Sequence, residues 1–333
     1  MVPTRGPRES TFALAANLLA IYVVWGSTYL AIRLAVETLP PFLSADARFL
    51  VAGALMLGFL WLRSRLSRSP SARLEPMRPE HWRTALIVGG LLLLGGNGLV
   101  VHAEQYIDSG IAAVVIATVP IWLNVFDAIA MRRPPSLLVI GGVAAGFIGV
   151  AVLLAPIGGL AALNPLGIGL GVAAAIFWAA GSFYSRTAPM PRSGLLFTGM
   201  EMLAGGLVLA LAGLLTGELG RSNPAQFSTT SILSVGYLVV FGSLVGFTAY
   251  TWLLQHAPVS TVATYAYVNP IVAVALGAFF LHEPITAGTV VASVLIIGAV
   301  VAMVSGRRRE KTTPAERRRQ AIAGEGIDRA AAD

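Results

Sequence analysis

Polar aromatic residues recur in the middle of long apolar stretches of this chain, and they define its candidate chemistry. In the first stretch Tyr22, Trp25 and Tyr29 are spaced three and then four positions apart, which places them on one face of a helix. Aromatic residues at that depth in an apolar segment do not belong to the interfacial belt of a membrane protein. They either line a cavity for a small amphipathic or aromatic solute or pack between helices with satisfied hydroxyl groups. For the set as a whole we favour the cavity.

Two later stretches carry the same residue types. Trp178 and Tyr184 lie in the sixth apolar stretch, and Tyr265 and Asn269 lie one helical turn apart in the ninth. Asn97 adds an amide near the middle of the third. His102, near the end of the third, is either part of the site or a hydrogen-bonded packing residue. The expected substrate-binding set is Trp25, Tyr29, Asn97, His102, Trp178, Tyr184, Tyr265 and Asn269.

Carboxyl groups and prolines inside apolar stretches are the next candidates. An ionisable residue in lipid is costly and is by default a functional candidate. Glu201, two turns into the seventh stretch, and Glu104, at the end of the third, could bind a proton or a substrate ammonium, although Glu201 could equally pair with a neighbour. Pro120 and Pro270 are expected to kink their helices, because proline removes a backbone hydrogen bond. Such kinks serve either a moving element and the cavity shape or packing alone.

Several kinds of site are excluded by residues that the sequence lacks. It has no cysteine and only four histidines, which are scattered, so no metal site is expected. The only lysine is Lys311, and no phosphate-binding motif of an ATPase is present. The glycine run from Gly167 to Gly171 lies inside an apolar stretch, which favours helix packing over nucleotide binding. We therefore expect no cofactor, no ATPase partner and no enzymatic activity.

Composition places these residues in a membrane protein. Of 333 residues, 56% are hydrophobic and only 12% are charged, whereas soluble domains carry about 25% charged residues. The apolar stretches are long enough to cross a bilayer as helices. We predict an all-α membrane protein with ten transmembrane helices, at about 13–32, 42–62, 84–104, 109–130, 136–155, 165–185, 194–216, 231–254, 259–281 and 286–305.

Basic residues are distributed unevenly between the two ends of these helices. With ten helices, both termini lie on one side, and 20 of the 23 arginine and lysine residues fall on that side. The exceptions are Arg33, Arg48 and Arg221. The positive-inside rule therefore predicts that both termini are cytoplasmic. The same distribution explains the basic pI without a nucleic-acid partner.

The chain contains one unit twice. At an offset of 150 positions Gln105 matches Gln255, Pro120 matches Pro270, and Pro134 matches Pro284; at an offset of 155, Gly26-Ser27-x-Tyr29 matches Gly181-Ser182-x-Tyr184. Because each unit has five predicted helices, an odd number, the two units would cross the membrane in opposite orientations. We predict a first repeat at 11–155, a second at 165–305, and a basic cytoplasmic tail at 306–333. Inverted repeats are typical of secondary transporters.

Six segments resemble carriers of the EamA type in the drug/metabolite transporter superfamily, and they extend over both repeats. These are W-G-S-T-Y-L-A-I-R at Trp25–Arg33, P-P-F-L-S-A-D-A-R-F at Pro40–Phe49, G-N-G-L-V-V-H-A-E-Q at Gly96–Gln105, S-G-I-A-A-V-V-I-A-T-V-P at Ser109–Pro120, G-S-x-Y at Gly181–Tyr184 and Y-A-Y-V-N-P at Tyr265–Pro270. The resemblance implies ten helices in an inverted five-plus-five repeat and the export of amino acids or related metabolites. Family members often carry an acidic residue before the proline of each repeat's last helix. Here Glu283 follows that pattern but Arg133 departs from it.

These observations together predict a secondary transporter of the bacterial inner membrane that exports small metabolites, with neutral or aromatic amino acids first among them, by alternating access. Multidrug or toxic-metabolite efflux by the same fold is the alternative, and a membrane-embedded enzyme or assembly subunit is a remote one. The expected partners are a small-molecule substrate and membrane lipid, and we expect a monomer.

Overall fold

A computed structural model describes residues 7–67, 73–132, 137–154, 164–257, 262 and 264–311 of the chain. The regular structure in these ranges is helical, and they contain no strand. The predicted all-helical class is therefore confirmed for this part of the chain. The predicted tail lies outside the described residues beyond Lys311.

Two helical stretches are each interrupted by a π-helical segment. The helices are α1 (Pro7–Ala35), α2 (Pro41–Leu66), α3 (Pro79–Gly89), α4 (Leu99–Ala103), α5 (Ser109–Ile116), α6 (Val119–Met131), α7 (Leu137–Leu154), α8 (Pro165–Ser185), α9 (Gly194–Leu215), α10 (Glu218–Arg221), α11 (Thr229–Tyr237), α12 (Gly246–His256), α13 (Tyr265–Leu281) and α14 (Ala287–Lys311). The segment π1 (Gly90–Gly98) joins α3 to α4, and π2 (Leu238–Val245) joins α11 to α12. Such wide turns inside helices are frequent at functional sites.

Seven stretches among the described residues are helical, long and apolar enough to cross a membrane. They are Phe12–Ala35, Pro41–Leu66, Pro79–Ala103, Ser109–Ala130, Pro165–Ser185, Gly194–Leu215 and Thr229–Leu253. Two shorter apolar helical stretches follow, Val268–Leu281 and Ala287–Gly298. Large apolar side chains such as Leu19 and Phe59 are about three-fifths exposed, which suits a surface that faces lipid rather than water.

The first half of the described chain, residues 7–154, and the second half, residues 164–311, pack directly against one another. Helix α1 contacts α12 and α13, α2 contacts α9, and α8 contacts π1, α4 and α6. Small residues allow these close approaches: a Cβ atom added at Gly89 of α3 would lie 2.8 Å from the backbone nitrogen of Gly205 in α9. The interface between the halves is therefore the centre of the molecule.

The helix that carries Pro120 is broken rather than smoothly kinked. Helix α5 ends at Ile116, a turn follows at Ala117 and Thr118, and Pro120 lies in the first turn of α6. A proline is tolerated in a first turn because the N–H it lacks has no partner there. Pro270 instead lies inside α13, which continues through it. The two matched prolines therefore occupy different local structures.

The two halves share an uncommon helix ending. Helix α6 ends at Arg132 with φ of 49°, and α13 ends at His282 with φ of 56°. These are the only non-glycine residues with positive φ among the described residues, and left-handed backbone is uncommon for such residue types. They lie 150 positions apart, the offset found in the sequence. Each precedes an x-Pro pair, which prevents the helix from continuing.

Candidate functional site

A cavity of about 100 Å³ lies between the two halves of the molecule. In this measure one water molecule needs about 10–15 Å³, so the space admits a small solute. Its walls come from α1, α2, π1, α4, α5 and α6 of the first half and from α8, α12 and α13 of the second. Of the residues expected to bind substrate, it brings together Trp25, Tyr29, Asn97, Trp178, Tyr265 and Asn269.

Trp25 is held in place on several sides. Its indole N–H donates to the backbone oxygen of Gly242 in π2 at 3.2 Å. Its ring centroid lies 5.5 Å from that of Phe247, 5.1 Å from that of Tyr250 and 5.2 Å from that of Tyr265. Edge-to-face and tilted aromatic pairs at such distances stabilise each other beyond simple burial. Trp25 therefore forms a rigid wall of the cavity.

Trp178 lies against π1 on another wall. A Cβ atom added at Gly96 would come 2.7 Å from Cε3 of the Trp178 ring, so only glycine leaves room for the indole there. Within the described residues Trp178 has neither a hydrogen-bond partner nor a paired aromatic ring. Its ring is therefore positioned by packing alone.

Two asparagine side chains supply polar atoms to the cavity. Asn97 donates from Nδ2 to the backbone oxygen of Leu92 at 3.3 Å, five residues earlier, as the wider turn of a π-helix permits. Asn269 is 6% exposed, and its Oδ1 has no hydrogen-bond partner among the described residues. Since a buried polar atom costs free energy unless it is paired, Asn269 offers an acceptor to a bound solute.

Arg48 also lines the cavity, although it was not among the residues predicted to bind substrate. It had been counted only among the three basic residues on the side opposite the termini, near the start of the predicted helix at 42–62, yet its side chain is buried inside α2 and the residue is 4% exposed. The signal in the sequence was a charged residue seven positions into an apolar stretch. Thr28 and Phe247 line the cavity as well and were not predicted.

His102 and Tyr184 are not among the described residues that line the cavity. The Nδ1 atom of His102 lies 3.1 Å from the backbone oxygen of Gly98, and its ring centroid lies 4.2 Å from that of Phe42. Its Nε2 is 3.8 Å from Oε1 of Glu218. Tyr184, near the end of α8, packs against the large cluster of buried apolar side chains that includes Leu92 and Met200. The structure therefore gives both residues packing contacts away from the other six.

The two candidate carboxyl groups lie apart from the cavity lining. Glu201 is 6% exposed within α9, and its Oε1 has no hydrogen-bond partner among the described residues. Glu104 is fully buried in the loop between α4 and α5, and neither of its carboxyl oxygens has such a partner. The Arg33 guanidinium donates to the backbone oxygen of Glu104 rather than to its side chain.

Electrostatics in that loop favour the protonated form of its acids. Burial raises the pKa of the Glu104 carboxyl well above its usual range; the nearby Glu283 raises this pKa further, and Arg33 lowers it. Burial and Glu283 also raise the pKa of Asp108, and Arg33 lowers it. The loop is therefore a place where protons bind more tightly than they do in water.

Glu283 connects this loop to the second half. Its carboxylate accepts from the backbone nitrogen of Ser109 at 2.9 Å, from the Ser109 hydroxyl at 2.8 Å and from the backbone nitrogen of Gly110 at 3.2 Å. These are groups at the start of α5, where a negative charge is favoured. The acidic residue of the expected pattern thus caps a helix of the other half, and its counterpart Arg133 lies outside the described residues.

The arrangement can bind a solute between two packed halves, and the described residues that line the cavity include no constellation for covalent chemistry. No group of three or more potential metal ligands occurs among the described residues. The cavity offers aromatic faces, a free amide oxygen and a guanidinium. These groups recognise a small polar solute with an apolar or aromatic part.

Comparison with known proteins agrees with this geometry. The sequence profile of the EamA-like transporter family matches residues 13–155 and again 165–305. The chain is 40% identical over 295 residues to the uncharacterized inner membrane transporter YedA of Escherichia coli (strain K12), an alignment that covers 88% of this chain and 91% of that protein. It is 24% identical over 306 residues to the uncharacterized transporter YvbV of Bacillus subtilis (strain 168), covering 92% and 95% of the two chains. A solved crystal structure with 19% identity matches with a TM-score of 0.58 over 89% of this chain and 98% of its own, which shows the fold alone.

Proposed function

Because the chain belongs to the EamA-like transporter family, we propose that it exports small metabolites, and amino acids in particular, across the bacterial inner membrane by alternating access. The protein is a transporter and not an enzyme. The observation that carries the proposal is the cavity between the halves, to which both contribute aromatic and polar side chains. A site at the interface of two repeats is what a rocking carrier requires.

The size of the cavity favours a small metabolite over a drug. Sites for drug-sized ligands usually measure about 300–1,000 Å³, whereas this cavity measures about 100 Å³. Multidrug efflux remains the second candidate function, and it requires a much larger site in another conformation.

The lining fits the two ends of an amino acid better than a purely apolar solute. The free Oδ1 of Asn269 can accept a hydrogen bond from an ammonium group. The faces of Trp25, Trp178 and Tyr265 attract a cation and also pack against an apolar side chain. In this proposal Tyr29 and Asn97 complete the site.

The proposal includes an inverted architecture. Ten membrane crossings would be divided between 11–155 and 165–305, with both termini and the basic segment 306–333 in the cytoplasm. Support comes from the uneven distribution of basic residues. Further support comes from the matched π segments and the matched endings at Arg132 and His282. The carrier would act as a monomer surrounded by lipid.

The proposal is tested by counterflow of radiolabelled amino acids in proteoliposomes that contain the purified full-length chain. We expect that these proteoliposomes take up at least one neutral or aromatic amino acid faster than liposomes without protein do. Trp178→Ala should lower this flux without lowering the amount of protein in the membrane. The matched control is Trp61→Ala, because Trp61 is 53% exposed on α2 and outside the cavity. Absence of amino-acid flux in the wild type, or equal flux in the two variants, contradicts the proposal.

A further inference from the structure

Arg48 is a buried cation at the wall of the central cavity. It is the eighth residue of α2, about 10 Å along the axis from the helix start at 1.5 Å per residue. Its side chain lines the cavity while the residue as a whole is only 4% exposed. The guanidinium therefore lies at the cavity wall and is shielded from the surrounding lipid.

The groups around Arg48 do not neutralise its charge. Its Nε donates to the hydroxyl of Ser243 in π2 at 3.0 Å. Its Cζ lies 4.6 Å from the ring centroid of Phe49. Within the described residues, no aspartate or glutamate lies within ion-pair distance of Arg48.

An unpaired guanidinium in such a place has a physical cost. A charged group away from water is strongly unfavourable unless an opposite charge or several hydrogen bonds compensate it. The bond to Ser243 uses one of the five N–H donors of the guanidinium, and the terminal nitrogens carry the other four. Two parallel N–H groups match the two oxygens of a carboxylate. A residue with this geometry is suited to a solute that brings the missing negative charge.

We propose that Arg48 binds the carboxylate of the transported solute and makes a carboxylate a requirement for transport. The inference rests on the proposed transport function and adds the chemical class of the substrate. The free amide oxygen of Asn269 and the aromatic faces then receive the ammonium and the side chain of an amino acid. Both charged ends of the zwitterion thus have partners in one cavity.

The requirement is tested first on the wild-type protein. Purified full-length protein is titrated with matched compounds that differ only at the acid group: phenylalanine, phenylalaninamide and phenethylamine, and likewise for leucine. Alanine, pyruvate and lactate extend the panel to other small carboxylates. Binding to the folded state raises the unfolding temperature. We expect stabilisation by at least one carboxylate and none by its amide or amine at the same concentration. Equal stabilisation by acid and amide, or stabilisation by no carboxylate, overturns the inference.

Variants then locate the requirement at Arg48. Arg48→Gln removes the charge and should weaken carboxylate binding by about 30-fold or more, the range for truncating one partner of a buried charge pair. Arg48→Lys keeps the charge without the planar fork and should retain part of the affinity. Arg65→Gln is the matched control, because Arg65 is exposed at the far end of the same helix. Should Arg48→Gln not yield folded protein, the lysine variant and the wild-type comparison still decide the question.

The outcomes separate this inference from the proposed function. Amino-acid flux that is unchanged in Arg48→Gln would retain the transport proposal and reject the role of Arg48. Binding of pyruvate or lactate that depends on Arg48, without binding or flux of any amino acid, would support the carboxylate site and reject amino acids as the substrate.

Discussion

The two tryptophans of the cavity lie against equivalent parts of the backbone but are held differently. Trp178, from the second half, packs on Gly96 of the first, and Trp25, from the first half, packs on Gly246 of the second. Gly96 and Gly246 are 150 positions apart, the offset of the repeat. Gly96 lies within the last three residues of π1, and Gly246 directly follows π2. Each half thus provides a glycine surface for an indole of the other.

The difference lies in what else each indole contacts. Trp25 donates a hydrogen bond to Gly242 and contacts three aromatic rings. Trp178 has no such bond or ring pair within the described residues. The second half therefore surrounds Trp25 with aromatic residues, whereas Trp178 contacts the first half by packing alone. We infer that Trp25 is held more firmly than Trp178.

The largest expected effects come from removing each indole in turn. Trp25→Ala should destabilise the folded protein by about 3–5 kcal/mol, because a buried aromatic and its hydrogen bond are lost together. Trp178→Ala should destabilise the protein less than Trp25→Ala, because the Trp178 indole has no hydrogen bond or ring pair within the described residues. It should lower flux by about tenfold, since one cation–π or stacking contact of about 1–2 kcal/mol with the solute is lost. Thermal unfolding in detergent and flux in proteoliposomes measure the two effects. Equal losses of stability in the two variants would contradict the inference that Trp25 is held more firmly than Trp178.

A smaller effect is expected at the glycines beneath the two rings. Gly246→Ala places a methyl group in contact with Nε1 of Trp25, whose position is fixed, and should cost about 1–3 kcal/mol by overpacking. Gly96→Ala meets the Trp178 ring, which no hydrogen bond holds within the described residues, and should cost less while altering solute affinity. Gly58→Ala is the control, because an added Cβ has no neighbour within 4 Å there. The unfolding temperatures of the three variants check this order.

The contact from Glu283 to the start of α5 should contribute less again. Glu283→Ala removes three accepted hydrogen bonds at a helix N-terminus, a loss of about 0.5–2 kcal/mol by analogy with other helix caps. Glu283→Gln retains an acceptor oxygen and should recover part of this. Unfolding temperatures of both variants at neutral pH provide the measurement. An alanine variant as stable as the wild type would show that the contact between the halves is not stabilising.

The smallest effect concerns pH. Because burial raises the pKa of Glu104 in the folded state, the folded protein binds more protons than the unfolded one above pH of about 4.3. This contribution to stability is complete below that pH and is lost as the pH rises through the folded pKa. Glu104→Gln should therefore raise the unfolding temperature by a few degrees at pH 8 and flatten its decline between pH 5 and pH 8.

The neighbours of Glu104 provide the control for the pH effect. The pKa of Asp108 is raised by the same causes. Asp108→Asn should therefore also raise the unfolding temperature at pH 8, but by less than Glu104→Gln. Glu283 and Arg33 are the other charged groups that act on this carboxyl. If the unfolding temperature of Glu104→Gln equals that of the wild type at every pH, the pKa of Glu104 is not raised in the folded protein.

Much of the helical architecture could be predicted from the sequence, because long apolar stretches in lipid must satisfy their backbone internally. The predicted stretch 194–216 agrees closely with α9, and 165–185 agrees with α8. The spacing of Trp25 and Tyr29 indicated one helix face, and both residues line the cavity. Tyr22 shares that spacing but its hydroxyl lies 2.5 Å from the hydroxyl of Thr264 instead. Periodicity gives the face of a helix, and tertiary packing decides which residues on it contact the cavity.

The remaining features depend on tertiary contacts that no local pattern records. The π segments contain no proline, and the sequence of a segment such as Gly90–Gly98 predicts an ordinary apolar α-helix. Arg48 lies inside the predicted helix at 42–62, but only the contact of its side chain with Ser243 of the other half shows that it faces the cavity. The break before Pro120, in contrast to the continuous helix at Pro270, also depends on the surroundings of each half.

The central claim, that the solute crosses through the cavity between the halves, is tested most directly by cysteine labelling. The natural chain has no cysteine, so single variants such as Ile116→Cys and Phe247→Cys place one thiol on each half of the cavity wall. A membrane-impermeant thiol reagent is added to either side of oriented vesicles, with and without a transported amino acid. We predict that both thiols react from both sides and that the amino acid slows each reaction. Labelling from one side only, or labelling that the solute does not affect, would contradict alternating access through this cavity.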